Sequence, residues 1–162
     1  MKYDFKNLNI PKEKRELYNQ RILNCIHTGN LHGLTNEDIY NCYTGDGGLH
    51  GLEFKDYSSR ARYSQAKKEI ENGQFFTPHT LCKMIASDLL NIGFNHMVAD
   101  IACGIGHFAN HVPNEANFYG CELDRKSSTV AKFLYPNANL TCDDMKYYKI
   151  SDGFEMDYVI GN

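Results

Sequence analysis

The stretch Ala99–Asn110, ADIACGIGHFAN, decides how the chain is expected to fold. Apolar residues run into Asp100, and Gly104 and Gly106 follow shortly after it. Glycine lacks the Cβ atom that would keep a ligand away from the backbone, so a strand, a glycine turn and a helix in succession favour ligand binding. The spacing Gly104-x-Gly106-x-x-Ala109 also fits the general pattern of dinucleotide-binding turns. The stretch therefore predicts a strand, a ligand-binding turn and then a helix.

Three more short apolar runs follow this pattern in the second half of the chain. With the first, the four predicted strands lie within His96–Ala102, Asn117–Leu123, Ala138–Asp144 and Met156–Asn162. A helix that ends before Pro136 separates the second strand from the third. Strands that alternate with helices are typical of a parallel sheet covered on both faces. The expected class is therefore α/β.

The first part of the chain has a different pattern. Residues 1–72 are polar and rich in helix formers, with helices predicted to begin at Pro11, near Thr35 and at Tyr57, the last with Gly73 as its C-cap. A further helix is predicted with Thr77 as its N-cap and an apolar face of Leu81, Met84, Ile85 and Leu89. The chain therefore divides into a mainly helical N-terminal segment, residues 1–72, and an α/β domain, residues 73–162.

Composition excludes several classes of protein. Of the 162 residues, 42% are hydrophobic and 23% charged, and no apolar run is long enough to cross a membrane. A net charge of −3 gives no basic footprint for nucleic acid. None of the 6 cysteines forms a C-x-x-C pair, and His107 and His111 lack the glutamate of a metalloprotease helix. We therefore expect no metal, no membrane and a cytoplasmic location.

Two carboxylates bear on the kind of ligand. Glu122 ends the second predicted strand, where an acid binds a ribose diol in either a nicotinamide or another adenosine cofactor. Asp100 stands directly before the glycine turn, where it would repel a pyrophosphate and attract a positively charged group such as an ammonium. A strand-terminal Asp that caps the following turn is an equally common explanation.

The motifs together resemble one family. DIACGIGHF (Asp100–Phe108), GCELD (Gly120–Asp124), CDDM (Cys142–Met145) and DYVIGN (Asp157–Asn162) resemble the class I S-adenosylmethionine-dependent methyltransferases. With GQFFTP (Gly73–Pro78) upstream, residues 70 to 162 resemble the DNA adenine-N6 methyltransferases, including type I restriction–modification methylation subunits. The resemblance implies a Rossmann-like methyltransferase core truncated after strand 4, with strand order 3-2-1-4.

The resemblance also implies roles for single residues, all in binding S-adenosylmethionine except one. The methionine part would contact the upstream motif and the glycine turn: Phe76, Thr77, Pro78, Asp100, Ala102, Cys103, Gly104 and Gly106. The ribose and adenine would contact Glu122, Leu123, Asp144 and Met145. Asn162 matches the first residue of the family's catalytic Asn-Pro-Pro-aromatic motif, whose remaining residues lie beyond the given sequence.

The expected function is that of the cofactor-binding part of a DNA adenine-N6 methyltransferase, without activity on its own. Its expected partners are double-stranded DNA in the intact enzyme, a specificity subunit, and a second copy through the exposed edge of strand 4. Three alternatives stay open. They are a protein-glutamine or RNA-base methyltransferase with the same catalytic motif, a nicotinamide-dependent oxidoreductase, and a non-catalytic interaction module.

Overall fold

A four-stranded parallel sheet is the centre of the fold. The computed structural model describes residues 1–45, 55, 57–71, 76–150 and 155–161. The strands are β1 (Val98–Asp100), β2 (Phe118–Glu122), β3 (Asn139–Cys142) and β4 (Tyr158–Ile160). Their order is β3-β2-β1-β4, and Val98 of β1 pairs with Phe118 of β2 on one side and with Tyr158 of β4 on the other. The predicted α/β class and the predicted order 3-2-1-4 are confirmed.

Five α-helices accompany the sheet within the described residues. They are α1 (Lys12–Thr28), α2 (Asn36–Cys42), α3 (Arg60–Glu71), α4 (His79–Lys83) and α5 (Arg125–Leu134). Helix α2 begins with a capping box in which the Thr35 side chain and the Asp38 side chain each accept the other's backbone N–H. Helix α5 ends at Leu134, before Pro136, as predicted. The predicted C-cap of α3, Gly73, lies outside the described residues.

The N-terminal helices and the sheet share one cluster of buried side chains. Ile22 of α1 and Ile39 of α2 belong to the same cluster as Phe118 of β2 and Leu134 of α5, and all four are at most 1% exposed. Burial of such apolar side chains is the main favourable term in folding, at about 25 cal/mol per Å². The division at residue 72 stays a prediction. No helix among the described residues is long and apolar enough to cross a membrane.

The prediction of a helix after the glycine turn is wrong. The chain instead forms successive turns and a short 3-10 helix, Ala109–His111. Pro113 explains the early end, because a residue that precedes proline is pushed out of the helical region. Val112 accordingly has the extended dihedrals φ −91° and ψ 115°.

The helix after Pro78 also differs from its prediction. It begins at His79 with Pro78 as the N-cap, and no side chain caps it, so Thr77 is not the N-cap. After Lys83 it widens into a π-helix, Met84–Leu89. Its buried face carries Cys82 and Ala86, both 0% exposed, whereas three members of the predicted apolar face are exposed: Leu81, Met84 and Leu89. Small side chains let this helix approach the core closely, which its hydrophobic pattern did not indicate.

The prediction that both faces of the sheet are covered fails at the outer strands. Ala99 in β1 and Cys121 in β2 are buried, but Val159 of β4, which pairs with Ala99, is 66% exposed. Asn139 and Thr141 of β3 are exposed as well. Within the described residues, the sheet is therefore covered at its two central strands and open at its two edges.

Candidate functional site

The carboxyl ends of the four strands bring the predicted site residues to one edge of the sheet. Asp100 ends β1 and Glu122 ends β2, while Asp144 follows β3 and Gly161 follows β4. In a parallel sheet all carboxyl ends face the same way, and ligands of open α/β sheets bind along that edge. The sheet order places β1, with its glycine turn, between β2 and β4.

The turn after β1 needs glycine at two positions. Gly104 and Gly106 have φ of +55° and +84°, values that other residues rarely adopt. A Cβ atom on Gly104 would lie 2.9 Å from Cδ1 of Phe76, and one on Gly106 would lie 2.7 Å from Cε2 of Tyr135. The close approach at both glycines is therefore to aromatic rings of the protein itself.

Asp100 is a buried carboxylate with little compensation. Its side chain is 2% exposed, and Oδ1 accepts a hydrogen bond from the backbone N–H of Ala102 at 3.1 Å. Burial raises the pKa of Asp100 to about 7, because a charged carboxylate loses its hydration in the protein interior. The neighbouring carboxylate of Glu122 adds to this rise in pKa, whereas the bond from Ala102 opposes it. A cation bound at this position would be attracted to the ionised Asp100 carboxylate.

Glu122 holds the backbone of the glycine turn. Its Oε2 accepts a hydrogen bond from the N–H of Gly104 at 2.7 Å, and its Oε1 accepts one from the N–H of Asp124 at 2.8 Å. Each carboxylate oxygen can accept a second hydrogen bond, so a diol could still bind to the same group. The tie between Glu122 and Gly104 is a structural role that the sequence pattern did not predict.

The Phe76-Thr77-Pro78 turn packs against the glycine turn. The Phe76 ring contacts Gly104 and meets the imidazole of His107 edge to face, with ring centroids 5.3 Å apart. The backbone oxygen of Thr77 lies 3.0 Å from Nδ1 of His107. His107 is only 8% exposed and links the two motifs.

The remaining predicted residues near the glycine turn differ in exposure. Cys103 is buried, and its N–H donates to the backbone oxygen of Cys121 at 2.9 Å. Burial raises the pKa of the Cys103 thiol, which keeps it protonated and fits a small packing residue better than a nucleophile. Ala102 and Pro78 are exposed.

Exposed side chains surround the ends of β2 and β3. Leu123 is 72% exposed and Met145 is 58% exposed, which is unusual for large apolar side chains beside a polar edge. Asp144 forms an ion pair with Lys146 at 3.0 Å, and its Oδ1 accepts a hydrogen bond from the N–H of Lys146. These bonds lower the pKa of Asp144, so it is ionised at neutral pH. Two apolar surfaces and one carboxylate are therefore available to a ligand.

Asn162, the predicted catalytic residue, lies outside the described residues. Its neighbour Gly161 passes close to Asp100, because a Cβ atom on Gly161 would lie 3.2 Å from Oδ1 of Asp100. The end of β4 therefore runs beside the acid of the glycine turn. No group of three or more potential metal ligands occurs in the part of the chain that the structure describes.

The sequence pattern does not single out Asn110. This side chain is 1% exposed, and its Oδ1 accepts hydrogen bonds from the backbone N–H of Lys2 at 2.9 Å and of Tyr3 at 2.7 Å. Its Nδ2 donates to the oxygen of Tyr3 at 2.8 Å and to Oη of Tyr40 at 3.2 Å. It fastens the start of the chain to the glycine-turn region, and contacts at such a sequence separation leave no local pattern.

The fold is that of an open α/β protein with acids and a glycine turn at the carboxyl edge of its parallel sheet, the edge at which ligands of such sheets bind. The model of the N-6 DNA Methylase family matches residues 60–158. The chain belongs to this family.

One solved structure to which the chain is similar is a type I restriction–modification system methyltransferase subunit from Streptococcus thermophilus. The two chains are 13% identical, with a TM-score of 0.42, and the match covers 90% of this chain and 43% of that one. The chain thus spans less than half the length of that subunit. No curated protein matches the chain.

Proposed function

We propose that the chain is the S-adenosylmethionine-binding part of a DNA adenine-N6 methyltransferase of a restriction–modification system. The observation that carries the proposal is the meeting of Asp100, Glu122 and Asp144 with the glycine turn at one edge of the sheet, in a member of the N-6 DNA methylase family. When bound, the cofactor supplies an electrophilic methyl group on a sulfonium.

The methionine part of the cofactor would lie at the glycine turn. Asp100 would bind the ammonium, since a cation offsets the cost of ionising a carboxylate that is 2% exposed. Thr77 would contact the carboxylate of the methionine. Phe76 and Pro78 would form a wall beside it, together with the backbone of residues 102–106.

The adenosine part would lie across the ends of β2 and β3. Glu122 would accept hydrogen bonds from the ribose hydroxyls through the lone pairs that Gly104 and Asp124 leave free. Leu123 and Met145, which are 72% and 58% exposed, would pack on the adenine ring and lose that exposure. Asp144 would accept a hydrogen bond from the adenine amino group.

Methyl transfer would require residues beyond the ones described. The amide oxygen of Asn162 and a neighbouring carbonyl would accept hydrogen bonds from the exocyclic amine of a flipped adenine, and an aromatic side chain would stack on that base. A polypeptide of these 162 residues should therefore bind the cofactor without methylating DNA. Double-stranded DNA and a specificity subunit are partners proposed for the intact enzyme.

Titration calorimetry with two cofactors tests the proposal. We expect saturable binding of S-adenosylmethionine and no binding of NAD, because Asp100 repels a pyrophosphate at the position where it attracts an ammonium. Binding of NAD with no response to S-adenosylmethionine would instead support the oxidoreductase alternative.

A further inference from the structure

A cavity of about 260 Å³ lies between residues 5–10, α2 and the Phe76-Thr77-Pro78 turn. It is close in size to the smallest common ligand sites, at about 300 Å³. None of Asp100, Glu122 and Asp144 lines this cavity, although it shares the Phe76-Thr77-Pro78 turn with the proposed cofactor site. Its other walls come from residues within 5–10 and 40–44, from Arg15 and from His79 and His107, none of which is assigned to the proposed cofactor site.

Arg15 gives the cavity an unsatisfied cation. Its Nε donates to the backbone oxygen of Ile10 at 3.0 Å, which fixes the guanidinium against the residues that precede α1. Its Nη1 is buried and has no hydrogen-bond partner. An unsatisfied buried donor destabilises the protein, and more so when it is charged. Arg15 as a whole is partly exposed and lines the cavity, and a guanidinium binds carboxylate or phosphate oxygens in a fork, so an anion in the cavity would pair with its charge.

Other charges at the cavity leave Arg15 without a competing acid. No aspartate or glutamate occurs among the described residues that line it. Lys6, also in the lining, already pairs with Glu37 at 3.0 Å. Burial lowers the pKa of His79 to about 4, so this histidine is neutral at pH 7 and the guanidinium is the main cation available to a ligand.

Aromatic rings form much of the rest of the wall. Phe5, Tyr40, Tyr43 and Phe76 all line the cavity. Phe5 packs on the His79 ring with centroids 4.3 Å apart and remains 42% exposed, so its outer face is free to receive a flat ring. A planar base stacks favourably on aromatic side chains, whichever base it is.

We propose that this cavity binds one nucleotide unit, with its phosphate on Arg15 and its base against the aromatic wall. The site is additional to the proposed S-adenosylmethionine site. The nucleotide could be free or could be part of a single strand, since both present the same phosphate and ring.

Calorimetry with thymidine monophosphate tests the proposal, with S-adenosylmethionine present at saturation to block adenosine binding at the strand ends. We expect the nucleotide to bind, and uncharged thymidine to bind at least about tenfold more weakly. Arg15→Gln should cause a loss of the same size. Arg21→Gln removes a charge from an exposed position of the same helix and should have no effect.

Two further measurements keep the test decisive. If Arg15→Gln does not fold, Phe5→Ala serves instead, because it leaves the charge unchanged and lies at a partly exposed position. This substitution should weaken binding of the nucleotide. Tighter binding of a short oligothymidylate than of the monophosphate assigns the site to a strand, and equal binding assigns it to a free nucleotide.

Three results would overturn the proposal. They are no binding of thymidine monophosphate, displacement of it by S-adenosylmethionine, and an unchanged affinity in Arg15→Gln. Because binding of S-adenosylmethionine is measured separately, failure of this site and failure of the proposed function are distinguishable.

Discussion

The backbone N–H of Gly104 donates a hydrogen bond to Oε2 of Glu122 at 2.7 Å, which ties the turn after β1 to the end of β2. The bond is buried and joins a charged acceptor to a backbone donor, a combination worth about 1.5–3 kcal/mol. The acid expected to hold a ribose thus also shapes the turn expected to hold the methionine. A ribose bound to Glu122 would therefore also affect the glycine turn that is expected to hold the methionine.

Glu122→Gln should loosen the glycine turn. The amide can accept with one oxygen only, so either Gly104 or Asp124 loses its partner. We expect hydrogen exchange at the amide of Gly104 to accelerate by about tenfold or more. Glu16→Gln, at an exposed position of α1, is the control and should leave that exchange rate unchanged. An unchanged rate in Glu122→Gln would show that the turn does not depend on this bond.

Asp100 should make the free energy of unfolding depend on pH. Its pKa rises from 3.8 in the unfolded chain to about 7 in the folded one, so between these values the folded state binds more protons. Its contribution to stability is then present below pH 4 and decreases as the pH rises to 7, by up to about 4 kcal/mol.

Urea denaturation at several pH values checks this dependence on Asp100. Asp100→Asn should remove most of the decrease between pH 4 and 7, because the amide does not titrate. Asp88→Asn, at an exposed position, should keep it. The same decrease in wild type and Asp100→Asn would contradict the assignment.

Gly106→Ala should destabilise the fold more than Gly33→Ala. Both glycines have φ near +84°, at +84° and +83°, so both substitutions carry the same backbone cost, about 1–2 kcal/mol. A Cβ atom at Gly33 would meet nothing within 4 Å, whereas at Gly106 it would lie 2.7 Å from the Tyr135 ring. Overpacking of this kind adds about 1–3 kcal/mol, which thermal unfolding of the two variants measures directly. Equal losses would mean that the Tyr135 ring moves away freely.

Self-association through β4 is a further prediction. Within the described residues β4 pairs with β1 alone, and Val159 at its centre is 66% exposed. An apolar strand with an unpaired edge favours pairing with another copy, and a charge at such a position opposes it. We expect light scattering to show oligomers of the 162-residue chain at high concentration and fewer in Val159→Lys. A monomer at all concentrations would count against the prediction.

Strand positions follow from the sequence because short apolar runs, glycines and prolines are local signals, whereas the strand order was implied by the resemblance to the class I methyltransferases. The end of α5 before Pro136 and the capping box at Thr35 depend on neighbours within a few residues. The exposed Leu81 and the short 3-10 helix after Gly106 depend on which surfaces meet in the folded chain. Hydrophobic spacing does not carry that information.

The candidate site likewise has one part that the sequence predicts and another part that depends on long-range contacts. The types and order of its acids could be read from the strand ends, since parallel strands bring their carboxyl ends together. The double role of Glu122, the contact of Phe76 with Gly104 and the anchoring of the N-terminus by Asn110 are long-range contacts. They could be found only in the folded structure.

The most direct measurement is the affinity of S-adenosylmethionine for variants at three strand ends. One cofactor is proposed to lie across the ends of β1, β2 and β3. Each of the substitutions Asp100→Ala, Glu122→Ala and Asp144→Ala should therefore weaken binding by about tenfold or more. Asp88→Ala, at an exposed position away from the strand ends, should bind as the wild type does. An affinity that none of the three substitutions changes, or no binding by the wild type, would contradict the account.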